Sequence, residues 1–214
     1  MTSVQAPNEP IDTRQKLLDV AVELVGRHGF GGTSLQMIAD ELGITKAAIY
    51  YHFRSRDQLL VALMEPMLRQ IRLVVEMAES QRSPRNQMDA MVQGFARVVA
   101  RNRALAAVMV FDPSVHRVLQ LQPDWGDLIV RQLTLLTQLD SSPTGVIKAT
   151  ALMTGLSGAA TGAPLEVGDD ELVQELCDMG RRIMGLRPPR RQPDPAPTPT
   201  VGVAGRWKDF LPET

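Results

Sequence analysis

An all-α fold is what this sequence predicts, on the grounds of residue choice, periodicity and punctuation. Aromatic residues make up only 4% of the 214 residues. Leu, Val, Ala and Met are abundant, a mix that suits helices better than sheets. Apolar residues recur at helical spacing along most of the chain, and no segment of useful length alternates with the period of a strand. Ser, Thr, Asp, Gly and Pro stand where the helical runs start and stop.

The elements follow in order. An arm up to Ile11, carrying Pro7 and Pro10, is expected to be disordered. Asp12 or Thr13 caps a first helix running to about His28, with Leu17, Leu18, Ala21, Leu24 and Val25 as its apolar stripe. Gly29 stops it, Phe30 plugs the core beyond the stop, and Gly31 and Gly32 make a turn. Ser34 caps a second helix whose inner face is Leu35, Ile38, Ala39 and Leu42. Gly43 ends it, because such a tight stop wants φ > 0. Thr45 caps a third helix to about Phe53. Ser55 caps a fourth, with Asp57 in its first turn favouring the positive helix end. The fourth runs to about Glu79 and should kink or break at Pro66. Beyond Ser83-Pro84, helices over 85–103, 104–111 and 125–139 are punctuated by Asp112-Pro113 and Gln122-Pro123. Ser142-Pro143 opens another to about Gly162, and Asp169 or Asp170 caps a last one to about Leu186. From Arg187 the chain reads as an extended, mobile Pro-rich tail that ends in an amphipathic patch around Trp207.

This plan gives a disordered arm over 1–11, a helix-turn-helix domain over 12–56, a helical regulatory and dimerisation domain over 57–187, and a mobile tail over 188–214. Hydrophobic content of 44% and charged content of 22% fit a globular protein. A net charge of −1 argues against a nonspecific nucleic-acid coat. A single cysteine, Cys177, excludes an internal disulfide and a Cys-based metal site. The N-terminus has no apolar stretch of a signal peptide, and no segment has the length of a membrane span, so a cytoplasmic location is expected. No cofactor or metal is expected.

Chemistry concentrates between Thr33 and Leu60. The spacing Ala39-x3-Gly43-x5-Ile49 fits a helix-turn-helix: a small residue for close helix approach, a glycine for the turn, and an apolar anchor for the third helix. That arrangement leaves Lys46, Ala47, Tyr50, Tyr51 and Arg54 facing outward. The second helix of such a motif lies in the major groove with its N-terminal residues nearest the bases. Lys46 suits guanine or phosphate, Ala47 a thymine methyl, and the tyrosines bases or phosphates. Gln36 lies early enough in its helix to reach a base edge. Ser34 marks a helix N-terminus that favours phosphate. The competing reading of this spacing alone is a pair of surface helices in a helical interaction module without specific DNA binding. Outward aromatics beside His52 and basic residues favour DNA.

These residues carry a resemblance. The run from Thr13 to Leu63 resembles the DNA-binding domain of the TetR (tetracycline-repressor) family of bacterial regulators. The matching pieces are Gly29-Phe30, Thr33-Ser34-Leu35, Ile38-Ala39, Leu42-Gly43-Ile44, Ile49-Tyr50-Tyr51-His52-Phe53 and Arg56-Asp57-Gln58-Leu59-Leu60. The resemblance covers about the first third of the chain. It implies an all-α homodimer of about nine helices per chain, with an N-terminal three-helix reader and a C-terminal helical ligand-binding and dimerisation domain. It implies repression at a palindromic DNA operator, relieved by a small-molecule effector. It makes Ser34, Tyr50, His52 and Arg56 phosphate contacts, and places Gln36, Lys46 and Ala47, with Tyr51 beside them, at base-reading positions. Arg56 departs from the family's usual Lys but keeps the charge and can bind phosphate bidentately.

In the C-terminal half, small residues at Ala151, Gly155, Gly158, Ala159 and Gly162 make a smooth stripe. With Leu176, Met179 and Ile183 of the following helix they are expected to form a dimer interface, against the alternative of packing within one subunit. Met67, Met88, Met91, Met109, Phe111, Trp125 and Ile129 are expected to line a pocket, where Met gives an adaptable wall. Few charges interrupt these helices, so the ligand is expected to be apolar or amphipathic. Asp112, Ser114 and His116 lie close in sequence, but adjacency does not make a catalytic triad and no nucleophile-elbow pattern is present. An enzyme is therefore not expected.

Overall fold

The computed structural model describes residues 10–164 and 166–186. The expected arm up to position 9 and the tail from Arg187 with Trp207 lie outside them. Among the described residues there are helices and no strands. They are α1 (Pro10–Gly32), α2 (Leu35–Leu42), α3 (Lys46–His52), α4 (Arg56–Glu79), α5 (Pro84–Arg101), α6 (Arg103–Phe111), α7 (Pro113–Gln120), α8 (Trp125–Thr137), α9 (Pro143–Gly162) and α10 (Asp169–Ile183).

Five N-caps fall where the sequence puts them, while the last helix has Gly168 in the cap position instead of Asp169 or Asp170, which lie in its first turn. Ser34, Thr45, Ser55, Ser83 and Ser142 each accept a hydrogen bond from the backbone N–H three residues on. Each satisfies one of the donors that a helix start leaves unpaired. Gly43 closes α2 at φ 65°, and its N–H bonds back to Asp40 while that of Ile44 reaches Ala39. Two carbonyls of the last turn are thereby used.

Three other helices depart from expectation. α1 begins at Pro10, ahead of the expected cap at Asp12 or Thr13; at Gly29 (φ 69°, ψ 166°) its helical path breaks as expected, and a short helical turn follows to Gly32. α4 runs through Pro66 as one helix of 24 residues. Pro66 is exposed and borders a groove between α1, α4 and the α5–α6 corner, beside Ala62, whose carbonyl it cannot serve. α7 occupies a segment expected to hold only punctuation, so the described residues form ten helices where about nine are expected. Its cause is local: the Asp112 side chain accepts from the Ser114 N–H, and Pro113 takes the first helical position, which needs no donor.

α4 and α5 pack closely along the body, and α10 lies across α5 and α9. The α10–α5 contact is pinned by Arg181, whose guanidinium makes bonds of 2.6 and 3.2 Å to the two oxygens of Asp89. The α4–α5 approach depends on Gly94. A Cβ there would sit 2.3 Å from Cγ1 of Val74. Gly126, at the exposed start of α8, has nothing within 4 Å. Gly94→Ala should therefore destabilise the fold by about 1–3 kcal/mol through overpacking, despite the better helix former. Gly126→Ala should be neutral or gain up to about 1 kcal/mol. Urea unfolding of both variants checks this, and a stabilised Gly94→Ala would refute the packing argument.

Candidate nucleic-acid interface

The α2–α3 unit rests on a buried scaffold. Leu35, Ile38, Ala39, Ile49 and Phe53 are all buried. Ala39 and Ile49 are fully enclosed, which is the close approach their spacing predicts. Arg14 of α1 lies over the Phe53 ring at 5.3 Å, fastening α1 to the end of α3.

With that side of α3 buried, its other side is open. Lys46, Ala47, Tyr50 and Tyr51 are exposed, as is Arg54 just beyond the helix. Tyr51 is 84% exposed, a large aromatic surface with little intramolecular use. Its ring meets that of His52 edge to face at 5.2 Å, and Lys46 Nζ lies 5.8 Å from the Tyr50 ring centre. The helix KAAIYYH carries no acidic residue, so this face attracts anions. Ser34 uses an acceptor lone pair on the Met37 N–H and keeps its hydroxyl hydrogen for donation outward. Gln36 is exposed, but its amide donates to Asp40 at 2.7 Å, so meeting a base requires exchanging that bond.

Arg56 is placed differently from the other expected phosphate contacts. Its guanidinium donates to the carbonyl oxygen of Phe30 and, at 3.4 Å, to that of Gly31, and it stacks on the Phe30 ring at 4.7 Å. The residue is half-buried, and Nε has no partner among the described residues. Two carbonyls at the end of α1 draw the charge inward. Arg56 thus holds the turn that leads into α2.

The same turn meets the rest of the protein. Asp112, between α6 and α7, accepts a 3.0 Å bond from the Gly31 N–H through one carboxylate oxygen. Its other oxygen accepts from the Ser114 N–H at 3.0 Å and the Ser114 hydroxyl at 2.5 Å. Burial opposes ionisation of Asp112, but the bonds from Ser114, Gly31 and Phe30 outweigh it and hold the carboxyl below the usual aspartate range. Ser114 is thereby committed to a cap.

A cavity of about 120 Å³ opens in the C-terminal body among α4, α5, α6, α7, α8 and α9. Of the expected pocket residues, Met109, Trp125 and Ile129 line it. Met67, Met88 and Met91 are fully buried core on α4 and α5 and are not among its lining. Phe111 is 67% exposed outside it, with its ring tip over Gly158 of α9. Gln132, His116 and Ser157 line the cavity although none is among the expected pocket residues. Gln132 does carry a signal in the sequence: it lies on the inward stripe with Leu128 and Leu136, where a polar residue is out of place.

Of the expected dimer residues, Ala151, Gly155 and Gly162 are exposed on α9, and Gly158 and Ala159 are half-buried. Met179 and Ile183 of α10 are half-buried. Leu176 is 2% exposed within the single chain, so it belongs to the subunit's own core and not to an outer face. Among the described residues, no helix is long and apolar enough to cross a membrane.

Comparison with known proteins singles out the region of this interface. Residues 17–63 match the family profile of bacterial regulatory proteins, tetR family. The chain is 38% identical over 65 residues to the probable acrEF/envCD operon repressor of Escherichia coli (strain K12), covering 29% of this chain and 30% of that protein. The matches span only 26–30% of the length of the first such relatives. Similarity to the HTH-type transcriptional regulator SrpR of Pseudomonas putida runs further, at 28% identity over 167 residues, 69% of this chain and 75% of that one. Among solved structures, a TetR-like transcriptional regulator from Rhodococcus sp. RHA1 superposes with a TM-score of 0.61 at 25% identity, over 83% of this chain and 99% of that one.

The Asp112 contact makes a pH-dependent prediction. Because its carboxyl titrates lower in the folded chain, its stabilising contribution is full above the unfolded value, about pH 4, and is lost as pH falls through the lower folded value. Asp112→Asn should therefore lower the thermal midpoint near neutrality, and the gap to the unmodified chain should close under acid. Melting curves from pH 7 down to about pH 2.5 check this. A gap that stays constant would refute it.

Proposed function

The chain belongs to the TetR family of bacterial regulatory proteins, and from that premise we propose that it is a homodimeric, DNA-binding transcriptional repressor released from a palindromic operator by a small molecule. The observation that carries this reading is the open face of α3, aromatic and basic, on a scaffold of buried inward residues. Tyr51, 84% exposed, has only the His52 ring as its contact within the chain and offers the rest of its surface to a partner. Repression as the sign of the effect rests on the name of the Escherichia coli relative, an operon repressor. Such a regulator acts in the cytoplasm, where bacterial DNA lies, and is not an enzyme.

A division of labour on DNA completes this reading. Lys46, Ala47 and Tyr51, with Gln36 once it releases Asp40, read bases. Ser34, Tyr50 and His52 contact phosphates. Arg56 belongs with them through the turn it holds, keeping α2 and its N-terminal donors in place. Two copies pair through the outer face of α9, where Ala151, Gly155 and Gly162 allow close approach, with Met179 and Ile183 of α10 at the margin. Pairing sets two readers about one DNA turn apart, which calls for a palindrome. An apolar or amphipathic effector occupies the cavity. Met109 and Val110 form part of its wall and Asp112 follows two residues later, so a ligand that shifts α6 acts directly on the Gly31 contact.

Selection of bound DNA from a random pool tests the core of this reading. A two-fold symmetric site should be enriched, and no enrichment would leave a helical interaction module instead. On that site, Tyr50→Phe should weaken all sequences alike. Lys46→Ala should relax preference at particular base pairs by about 1–3 kcal/mol. Identical profiles for the two variants would refute the division.

The dimer is tested separately. A Cβ added at Gly155, which is exposed, would meet nothing within 4 Å, so Gly155→Trp is expected to leave the single subunit folded. It should convert the dimer to a folded monomer in sedimentation velocity. A persistent dimer would place the interface elsewhere.

A further inference from the structure

One residue expected in the pocket stands outside it. Phe111 closes α6, and every other residue of that helix is buried or half-buried. Its largest apolar side chain is nevertheless 67% exposed. Enclosing an aromatic ring takes about 150–250 Å² out of water, and most of that gain is unused within the chain. The ring's position is informative. Ile147, Ala151, Gly155, Gly158 and Gly162 recur at helical spacing and form one stripe along α9. All are exposed except Gly158, which is half-buried. The tip of the Phe111 ring lies there, with Cζ 3.4 Å from where a Cβ of Gly158 would stand. Phe111 therefore reaches the outer stripe of α9. That stripe is apolar, and the one charged residue of α9, Lys148, pairs with Asp140 at 3.7 Å. The opposite side of α9 buries Leu152, Leu156 and Ala160 in the body. A helix that is apolar on both sides is one enclosed on both.

We propose that a second copy of this chain covers the Phe111 ring, which anchors the subunit contact from α6. The inference rests on the pairing through α9 proposed above and adds to it a residue of another helix. Shape favours a second copy as the occupant. A two-fold interface sets one patch against itself, so that patch must hold projection and hollow together. Here the ring is the projection. Gly155 and Gly162 are the hollows, because a Cβ added at either would meet nothing within 4 Å. Apart from Lys148, which has its own partner, α9 carries no charge to oppose two copies. Aromatic side chains seated among small neighbours carry much of the affinity of such surfaces. The contact then reaches to one residue from Asp112, whose carboxylate accepts from the Gly31 N–H.

Sedimentation velocity over a dilution series of the full chain reads the pairing. Phe111→Ser should leave the subunit folded, since most of the ring lies outside its packing. It should weaken the dimer at least about thirtyfold, because the two-fold removes the ring twice. Phe111→Leu, which keeps apolar bulk, should restore most of the loss. A second measurement reads the covering of the position directly. Cys177 is buried, so a maleimide reports on the thiol of F111C. At a concentration where F111C is paired, that thiol should react at least about tenfold more slowly than in the monomer obtained by adding Gly155→Trp, because subunit contacts exclude water and reagent.

An unchanged dimer in Phe111→Ser, or a thiol equally reactive in dimer and monomer, would overturn the inference. Gly155→Trp separates it from the reading of α9. A monomer from Gly155→Trp with no loss from Phe111→Ser removes the inference alone. A dimer that persists in Gly155→Trp and dissociates in Phe111→Ser removes the reading of α9 and keeps Phe111 at the subunit contact.

Discussion

The rest of the structure depends on how α1 ends. A helix terminus leaves backbone groups that the helix cannot satisfy itself, and here the chain must also turn sharply into α2. Gly29 takes φ 69°, a conformation that side-chain-bearing residues rarely adopt. The groups that this bend frees are met from three directions. Thr33, itself buried, donates its hydroxyl to the Gly29 carbonyl at 2.9 Å. Arg56 at the start of α4 serves Phe30 and Gly31, and Asp112 beyond α6 accepts from Gly31. One turn of backbone thus joins the α1–α3 unit, the long helix α4 and the C-terminal helical body. An isolated three-helix reader would lack the Asp112 partner altogether.

That arrangement explains the uneven use of charge in the reader. Arg14 and Arg56 both lie against aromatic rings, Phe53 and Phe30, where their cationic faces hold helices together. Lys46 and Arg54 remain on the surface beside the tyrosines. A small domain in a nearly neutral chain therefore presents a basic face without a basic composition. Position does what net charge does not: Lys46 at the start of α3 and Arg54 beyond its end flank the exposed tyrosines, the face proposed to meet DNA.

Much of this is legible in the sequence, because helix caps and helix faces are local. Ser34, Gly43, Thr45 and Ser55 can be placed from residue type alone, since the groups they satisfy lie within three or four residues. The inward stripe of α2 and the outward face of α3 follow from the same periodicity. α7 escapes such a reading because an Asp-Pro or Gln-Pro pair looks like punctuation, when Asp112-Pro113 is equally a cap followed by a first helical residue. The roles of Arg56 and Asp112, and the cavity, are hidden for a different reason. The Asp112–Gly31 bond spans 81 positions and the Arg56–Phe30 bond 26. No periodicity encodes which distant carbonyl or N–H a side chain will find. The methionines show the same limit: Met67 and Met109 have similar local patterns, and only packing decides that one is enclosed core and the other a cavity wall.

The short path between cavity and turn bears on how a regulator of this plan would switch. α6 is nine residues long and is held at both ends. At its start Arg103 donates to the Val167 carbonyl and to Asp169, both 3.0 Å away, and at its end Asp112 holds Gly31. A helix clamped in this way cannot yield gradually when its Met109–Val110 face is pushed, because close-packed interiors transmit strain instead of absorbing it. It must give at one end. The Arg103 end is anchored by an ion pair and a backbone carbonyl within the body. The Asp112 end hangs on the Gly31 N–H across the boundary with the reader. Displacement should therefore appear at Gly31, four residues before α2 begins. A ligand shifts this equilibrium only by as much as it binds one state better than the other.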